Sequence, residues 1–408
     1  MANDDKSTAT PRLRFPEFRE AEGWDRIPGD KLFDSINSRD ATAGLPILAI
    51  TQENGAIPRD QIDYHVSVTE KSIESYKVVE PGDFIISLRS FQGGIEYSNY
   101  RGICSPAYVI LRRKDEGSDR YFKCLFKSPR FIQQLTRNIE GLRDGKMISY
   151  KQFSEQLIPT PVPAEQQKIA DCLASLDEVI SAQRRKVEGL KAHKRGLMQQ
   201  LFPRAGETLP RLRFPEFRDG PEWSEEKLGN LVYIRSGNSP SQYKLSVTGA
   251  HPFVKVEDLN NCMKYQTAAR EYSDDTNGLV PSQSLIFPKR GAAIELNKVR
   301  LSARELLMDT NMMALTPSGE CRVEFLFYYI SHIGLSGIAD SSTIPQINNK
   351  HIIPFKVVVP LPAEQERMAD YLSSLDAQIA AESEKLDALK TDKRGLMQQL
   401  FPLPEERL

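Results

Sequence analysis

No stretch of this chain approaches the roughly 18 consecutive apolar residues that would span a bilayer, and the opening MANDDKSTAT is polar and acidic, without the apolar run of an export signal. The expectation is a cytoplasmic protein with no membrane contact. Cysteine is sparse: Cys104, Cys124, Cys172, Cys262 and Cys321 are odd in number and form no CxxC pair, which argues against a disulfide framework and against a zinc site. The histidines, His65, His193, His251, His332 and His351, are too dispersed to suggest a metal or proton-relay cluster. Charge of one sign is missing as well, with 54 Lys+Arg against 55 Asp+Glu. Total charge therefore gives no support to a general nucleic-acid binder.

Signatures of catalysis are missing too. HExxH, GxSxG and GxGxxG do not occur, nor does an Asn/Asp-Pro-Pro-aromatic element of the kind amino-methyltransferases use. The nearest approach to a phosphate loop, GLRDGKM at 141–147, has one residue too few and Met147 where a hydroxyl is needed. It reads as a turn. The chain reads as a non-catalyst without a metal or cofactor of its own.

What is present is a duplication. The nine residues PRLRFPEFR at 11–19 recur at 210–218, PAEQ at 163–166 recurs at 362–365, and the ten residues KRGLMQQLFP at 194–203 recur at 393–402. Every second copy lies 199 residues after the first. Between the matched ends, 20–162 and 219–361 are equal in length but share little identity. This organisation gives a polar tail at 1–10, a globular domain at 11–162, a helix at 163–203, a second globular domain at 204–361, a second helix at 362–402 and a tail at 403–408.

At 40% hydrophobic and 8% aromatic residues, the composition is that of an ordinary globular protein with real cores. In the first domain the apolar runs LPILAI (45–50), DFIISL (83–88) and YVILR (108–112) are parted by turn signals at Asn54, Pro81 and Gly93. In the second, HPFVKV (251–256), SLIF (284–287) and MMALT (312–316) alternate with Asn277-Gly278 and Ser318-Gly319. Short helices are expected at 121–137, interrupted by Pro129, and at 323–333. Each domain is α+β.

A long helix follows each PAEQ, where a proline and an acid occupy the first turn. Ile169, Leu173, Leu176, Ile180, Val187, Leu190, Leu197 and Leu201 fall at alternating steps of four and three, broken by Gln183 and Lys194. Met368, Leu372, Leu375, Ile379, Leu386, Leu389, Leu396 and Leu400 repeat the register, with Glu382 and Lys393 at the two polar places. Such a seam is a coiled coil, ~58 Å long over 164–202 at 1.5 Å per residue. The chain path makes each helix the antiparallel partner of the other, which places two similar globular domains apart, related by an approximate twofold axis. Pairing of each helix with a second copy of the chain is the alternative. Polar seam positions fix pairing, although Lys194 and Lys393 also have the length to snorkel to solvent. Leu197, Met198, Leu201 and Phe202, with Leu396, Met397, Leu400 and Phe401, are candidates for packing where a helix end meets the opposite domain, or for a subunit interface.

A variable domain closed by Ile148 to Phe153, then LIPTPVPAEQQKIADCLASLD, and again by Ile347 to Ile352, then VVVPLPAEQERMADYLSSLD, resembles the specificity subunit of type I restriction-modification systems. The resemblance covers the chain beyond its tail, and PGDFIISLRSFQGGIEYSNYRGICSPAYVIL also resembles the family's first recognition domain. It implies two target-recognition domains, each reading one half of a bipartite sequence in double-stranded DNA. It further implies helices that fix the spacer and dock two methyltransferase subunits. The methyltransferases would use S-adenosylmethionine, and a restriction subunit would use ATP and Mg. A structural adaptor holding two copies of a protein partner, without touching DNA, is the rival from a different class.

If DNA is bound, local patches must do it. Residues 101–151 carry 12 basic against 5 acidic residues, and 285–304 carry Lys289, Arg290, Lys298, Arg300 and Arg304 against Glu295. Side chains that read base edges are Arg, Lys, Asn and Gln, and loops after strands present them. In the first domain the candidates are Gln52, Asn54, Arg89, Ser90 and Gln92, with Arg101 and Arg143 for phosphates or bases. Phe91 is a candidate for stacking or for the core. In the second they are Ser236, Asn238, Lys255, Lys289, Arg290 and Asn297, then Gln346, Asn348, Asn349 and Lys350. Asn54 and Asn238 have turn formation as a rival role, Ser90 and Gln92 backbone capping, and Lys255 a solvated strand position.

Overall fold

The computed structural model describes residues 8–39, 44–62, 73–114, 118–137 and 148–402. The chain divides in the middle of its two long helices, not at their ends as the sequence suggests. Unit 1 is Met1–Arg184 with Glu384–Leu408, and unit 2 is Arg185–Ser383. The helices Pro163–Leu201 and Pro362–Leu400 are therefore shared, the first starting in unit 1 and ending in unit 2, the second the reverse.

Burial explains this division. In unit 1, Ile169 and Leu173 from the start of the first long helix, and Met397, Leu400 and Phe401 from the end of the second, join one core with Trp24, Phe33, Phe84 and Phe122. In unit 2, Leu201 and Phe202 join Met368, Leu372 and Leu375 in a core with Trp223, Leu285 and Phe325. Ile169, Leu173, Leu372 and Leu375, expected in a helix-helix seam, thus serve the globular cores. Farther along, Ile180, Val187 and Leu386 are buried, while Leu176, Leu190, Ile379 and Leu389 are only partly so.

The central sheet of unit 1 runs Phe33–Ile36, Val109–Arg113, Phe84–Ile86, Glu96–Tyr97, and all its pairs are antiparallel. Successive side chains of a strand face opposite ways. Phe84, Ile86 and Leu111 enter the core on the helix side, while Ile85 and Ile110 enter a second core with Leu48, Ala56 and Val79. Burial on both faces explains why FII is an unbroken apolar run rather than an alternating one. Unit 2 repeats the order with Val232–Ser236, Met312–Pro317, Leu285–Pro288 and Arg300–Ser302, and adds Tyr265–Gln266 in parallel. Pro129 opens a helix of its own, Pro129–Arg137, after Asp119–Phe126, whereas Val323–Ile333 is one uninterrupted helix.

The repeated motifs converge within each unit. Arg14 grips both oxygens of Glu165 at 2.8 and 2.7 Å and also donates to Ala21 O and Glu22 O. Arg213 does the same to Glu364, Gly220 O and Pro221 O. Leu13 N donates to Gln399 O at 3.0 Å, and Leu212 N to Gln200 O at 2.9 Å. Gln166 and Gln365 donate back to Pro161 O and Pro360 O. PRLRFPEFR, PAEQ and KRGLMQQLFP are three parts of one clamp, made once per unit.

Three of the four polar seam positions, Lys194, Glu382 and Lys393, form ion pairs. Lys393 meets Asp177 at 2.5 Å in unit 1, and Lys194 meets Asp376 in unit 2. Lys186 also meets Glu382 at 2.5 Å. In unit 2 the partner number falls as the lysine number rises, so the helices pair antiparallel.

Candidate DNA interface

In unit 2, three segments bring together most of the candidates the sequence offers. The strand Val232–Ser236 ends at Ser236, the strand Leu285–Pro288 runs into Lys289 and Arg290, and a third segment carries Gln346 to Lys350. The last two are joined by backbone bonds from Ile347 N to Lys289 O at 3.0 Å and from Gly291 N to Pro345 O at 3.0 Å. Ser236, Lys289, Arg290, Gln346, Asn348, Asn349 and Lys350 line one hollow of about 310 Å³, to which no carboxylate among the described residues contributes. Burial lowers the pKa of Lys289, Arg290 lowers it further, and Asp309 opposes the shift. A part-buried Lys289 beside the exposed Arg290 and Lys350, with no carboxylate among the described lining residues, makes a place for an anionic or acceptor-rich ligand.

Three other candidates in unit 2 are committed elsewhere. Asn238 donates from Nδ2 to the Tyr243 hydroxyl at 2.7 Å. Lys255 pairs with Glu271 and lies 5.8 Å from the Phe253 ring centre. Asn297 sits at φ 49°, donates to Ser331 O and accepts from Leu335 N. The side chain of Asn348, although it lines the hollow, caps the short helix Asn349–Ile352 by accepting from Lys350 N at 3.1 Å. Local satisfaction of a short amide is the reason in each Asn case.

In unit 1 the hairpin Leu48–Thr51 and Gly55–Pro58 exposes Gln52 and Asn54 at its tip. Thr51 Oγ1 shapes the tip by accepting from Asn54 N and donating to Gly55 O. Gly55 has φ 71°, and a Cβ there would lie 2.6 Å from Tyr97 O, so a side chain is excluded. The turn Ser90–Gly93 exposes Arg89 and Gln92, whereas Ser90 is buried and its Oγ accepts from Ser87 N at 2.8 Å. Ser90 is thus a turn former rather than a surface contact. Arg101 is exposed and paired with Glu80 at 3.1 Å. Arg143, the GLRDGKM segment, His65 and the Phe91 side chain lie outside the described residues.

Gln52 and Asn54 border a hollow of about 660 Å³ that also takes in Arg120, Lys123 and Lys127. None of these three was singled out from the sequence. Their signal was the basic excess of 101–151, which spacing alone could not resolve into helix faces. Burial pushes the Cys104 thiol up to about 12 and those of Cys124 and Cys321 up to about 11, which disfavours the nucleophilic thiolate at these three. Among the described residues no helix is long and apolar enough to cross a membrane.

Two copies of one α+β unit, with amide and cationic side chains on loops beyond a central sheet, have the features of a duplicated DNA-recognition protein. The family model described as the type I restriction modification DNA specificity domain matches residues 34–192 and 221–391, and the chain belongs to this family. It is similar to the type I restriction enzyme MjaVIII specificity subunit of Methanocaldococcus jannaschii, 22% identical over 82% of this chain and 81% of the relative. A putative MjaX specificity subunit from the same organism is 23% identical over 88% and 86%. Among solved structures, a chain from a study of assembly and conformational transition of the type I R-M system aligns with TM-score 0.62 at 19% identity, over 93% of this chain and 98% of that one. The type I system S subunit from M. genitalium aligns with TM-score 0.55 at 17% identity, over 97% and 100%. The fold is that of the S subunits, and the role is DNA recognition, without catalysis by this chain. An adaptor that never touches DNA is thereby set aside.

Proposed function

We propose that each unit reads one half of a bipartite DNA sequence, that the paired helices set the spacer, and that each unit docks one methyltransferase subunit. The observation that carries this reading is the hollow in unit 2, where Lys289, Arg290 and Lys350 meet Gln346 and Asn349 with no carboxylate among the described lining residues. Arg and Lys suit guanine edges and phosphates, and Gln and Asn suit adenine. In this reading Gln52, Asn54, Arg89 and Gln92 do the corresponding work in unit 1.

Docking of two like subunits is supported by exposed apolar residues that recur at the repeat spacing. Leu13 and Leu212 are both 37% exposed, and Val162 and Leu361 are 56% and 54% exposed. An apolar side chain left in solvent at matching places in two divergent units suits one kind of partner bound twice. Those partners would carry S-adenosylmethionine, and a restriction subunit with ATP and Mg would complete the assembly.

The test is to co-express the chain with its methyltransferase and map methylated adenines across a genome. A single two-part motif is expected. The double variant Lys289→Ala/Arg290→Ala should relax one half of that motif and leave the other half unchanged. A methylation pattern without two parts would rule the reading out.

A further inference from the structure

In unit 1 a single ammonium joins both reading loops. Lys127, just past the helix Asp119–Phe126, donates to Gln52 O at 3.3 Å and to Gly93 O at 3.0 Å, and pairs with the Glu96 carboxylate. Gln52 belongs to the hairpin tip, and Gly93 closes the turn that presents Arg89 and Gln92. The Gln52 side chain also lies against Gly93, where a Cβ would come within 2.5 to 2.7 Å of its atoms. An ammonium has three donors. Here each has an acceptor within the unit, so Lys127 holds the loops instead of offering its charge outward. Glu96, with a side chain only 3% exposed, is the buried counter-charge.

Unit 2 ties the equivalent turn by different chemistry. Its helix Val323–Ile333 takes the place of Asp119–Phe126: Phe325 meets Trp223 edge-on as Tyr121 meets Trp24, and Arg322 N donates to Gln365 as Ser118 N does to Gln166. In that register Ser331 stands where Lys127 does. Ser331 O accepts from Asn297 Nδ2 at 2.8 Å, which fastens the turn after the strand Leu285–Pro288 to the helix. Two unlike side chains thus make the same connection in two units whose sequences have diverged.

We infer that Lys127 is a positioning residue for sequence reading by unit 1, setting Gln52 and the Arg89–Gln92 turn in one fixed arrangement over the buried Glu96. This rests on the reading that unit 1 recognises one half-site. A base edge is read through hydrogen bonds that tolerate little displacement, so loops free to part would lose discrimination before they lost affinity for phosphates.

The test compares wild type with Lys127→Met/Glu96→Gln in the full chain assembled with its methyltransferase. Removing both charges avoids leaving a buried carboxylate alone. Two further variants guard against misfolding: Gly93→Ala crowds the Gln52 side chain while keeping the Lys127 side chain and its Glu96 partner, and Lys127→Arg keeps charge and donors. Methylation of the two half-sites is scored separately, unit 1's half-site being the one that Lys289→Ala/Arg290→Ala leaves unchanged. The double variant and Gly93→Ala should methylate single-mismatch sequences in that half-site roughly tenfold more than wild type. The unit 2 half-site and the melting of unit 2 should not change, and Lys127→Arg should keep the wild-type preference. Unaltered reading by an assembled double variant or by Gly93→Ala overturns the inference, as does equal relaxation of both half-sites. A wild-type pattern without two parts instead defeats the underlying reading of function.

Discussion

Arg14 and Arg213 show what a guanidinium does that an ammonium cannot. Each uses a planar fork on a carboxylate and its remaining donors on two backbone carbonyls. The side chains of Arg14 and Glu165 are 7% and 1% exposed. Breaking such a pair from one side leaves a buried charge and costs about 3–5 kcal/mol. Arg14→Met should therefore speed hydrogen exchange across the 13–22 segment of unit 1 and leave 212–221 in unit 2 protected, with exchange measured by mass spectrometry on one sample. Equal protection of both segments would show that the pair is dispensable. Arg14→Lys should recover little of the protection, since one ammonium cannot match the fork. The motif's repetition was legible in the sequence, but its use as a clamp was not, because Glu165 is brought to Arg14 only by the fold. The same limit governs the asparagines: Asn238, Asn297 and Asn348 look like reading residues until their local partners are known.

At the scale of elements, the strands and both long helices were largely legible, because apolar runs, glycine turns and heptad spacing are local signals. What spacing could not separate was seam from core. Leu173 and Leu372 sit on the same heptad ladder as Ile180 and Ile379, yet they face globular cores. The polar interruptions were legible as positions and not as partners. Lys393→Glu would set a carboxylate against Asp177, and an exposed pair of this kind is worth about 0.5 kcal/mol. A small loss of unit 1 stability is expected, restored by adding Asp177→Lys. The corresponding swap in unit 2, Lys194→Glu with Asp376→Lys, should not restore stability, since Asp376 also accepts from the Tyr328 hydroxyl at 2.7 Å. Thermal unfolding of the two double variants separates the cases, and full recovery in both would contradict the role given to Tyr328.

For the whole molecule, the proposal makes helix length a unit of DNA length. A heptad inserted into each long helix adds ~10 Å, which corresponds to roughly three base pairs of duplex at 3.4 Å each. Methylation mapping should show a spacer longer by about that amount between unchanged half-sites. Altered half-sites with an unchanged spacer would reverse the roles assigned to helices and loops.

The shared helices also bear on the order in which the protein is completed. Unit 2 is continuous in sequence, whereas the core of unit 1 takes Met397, Leu400 and Phe401 from the segment that follows unit 2. Domains commonly form from the N-terminus as a chain emerges. Here the unit that begins first is completed only after the whole of unit 2 has been made, and its unfilled core must stay soluble until then.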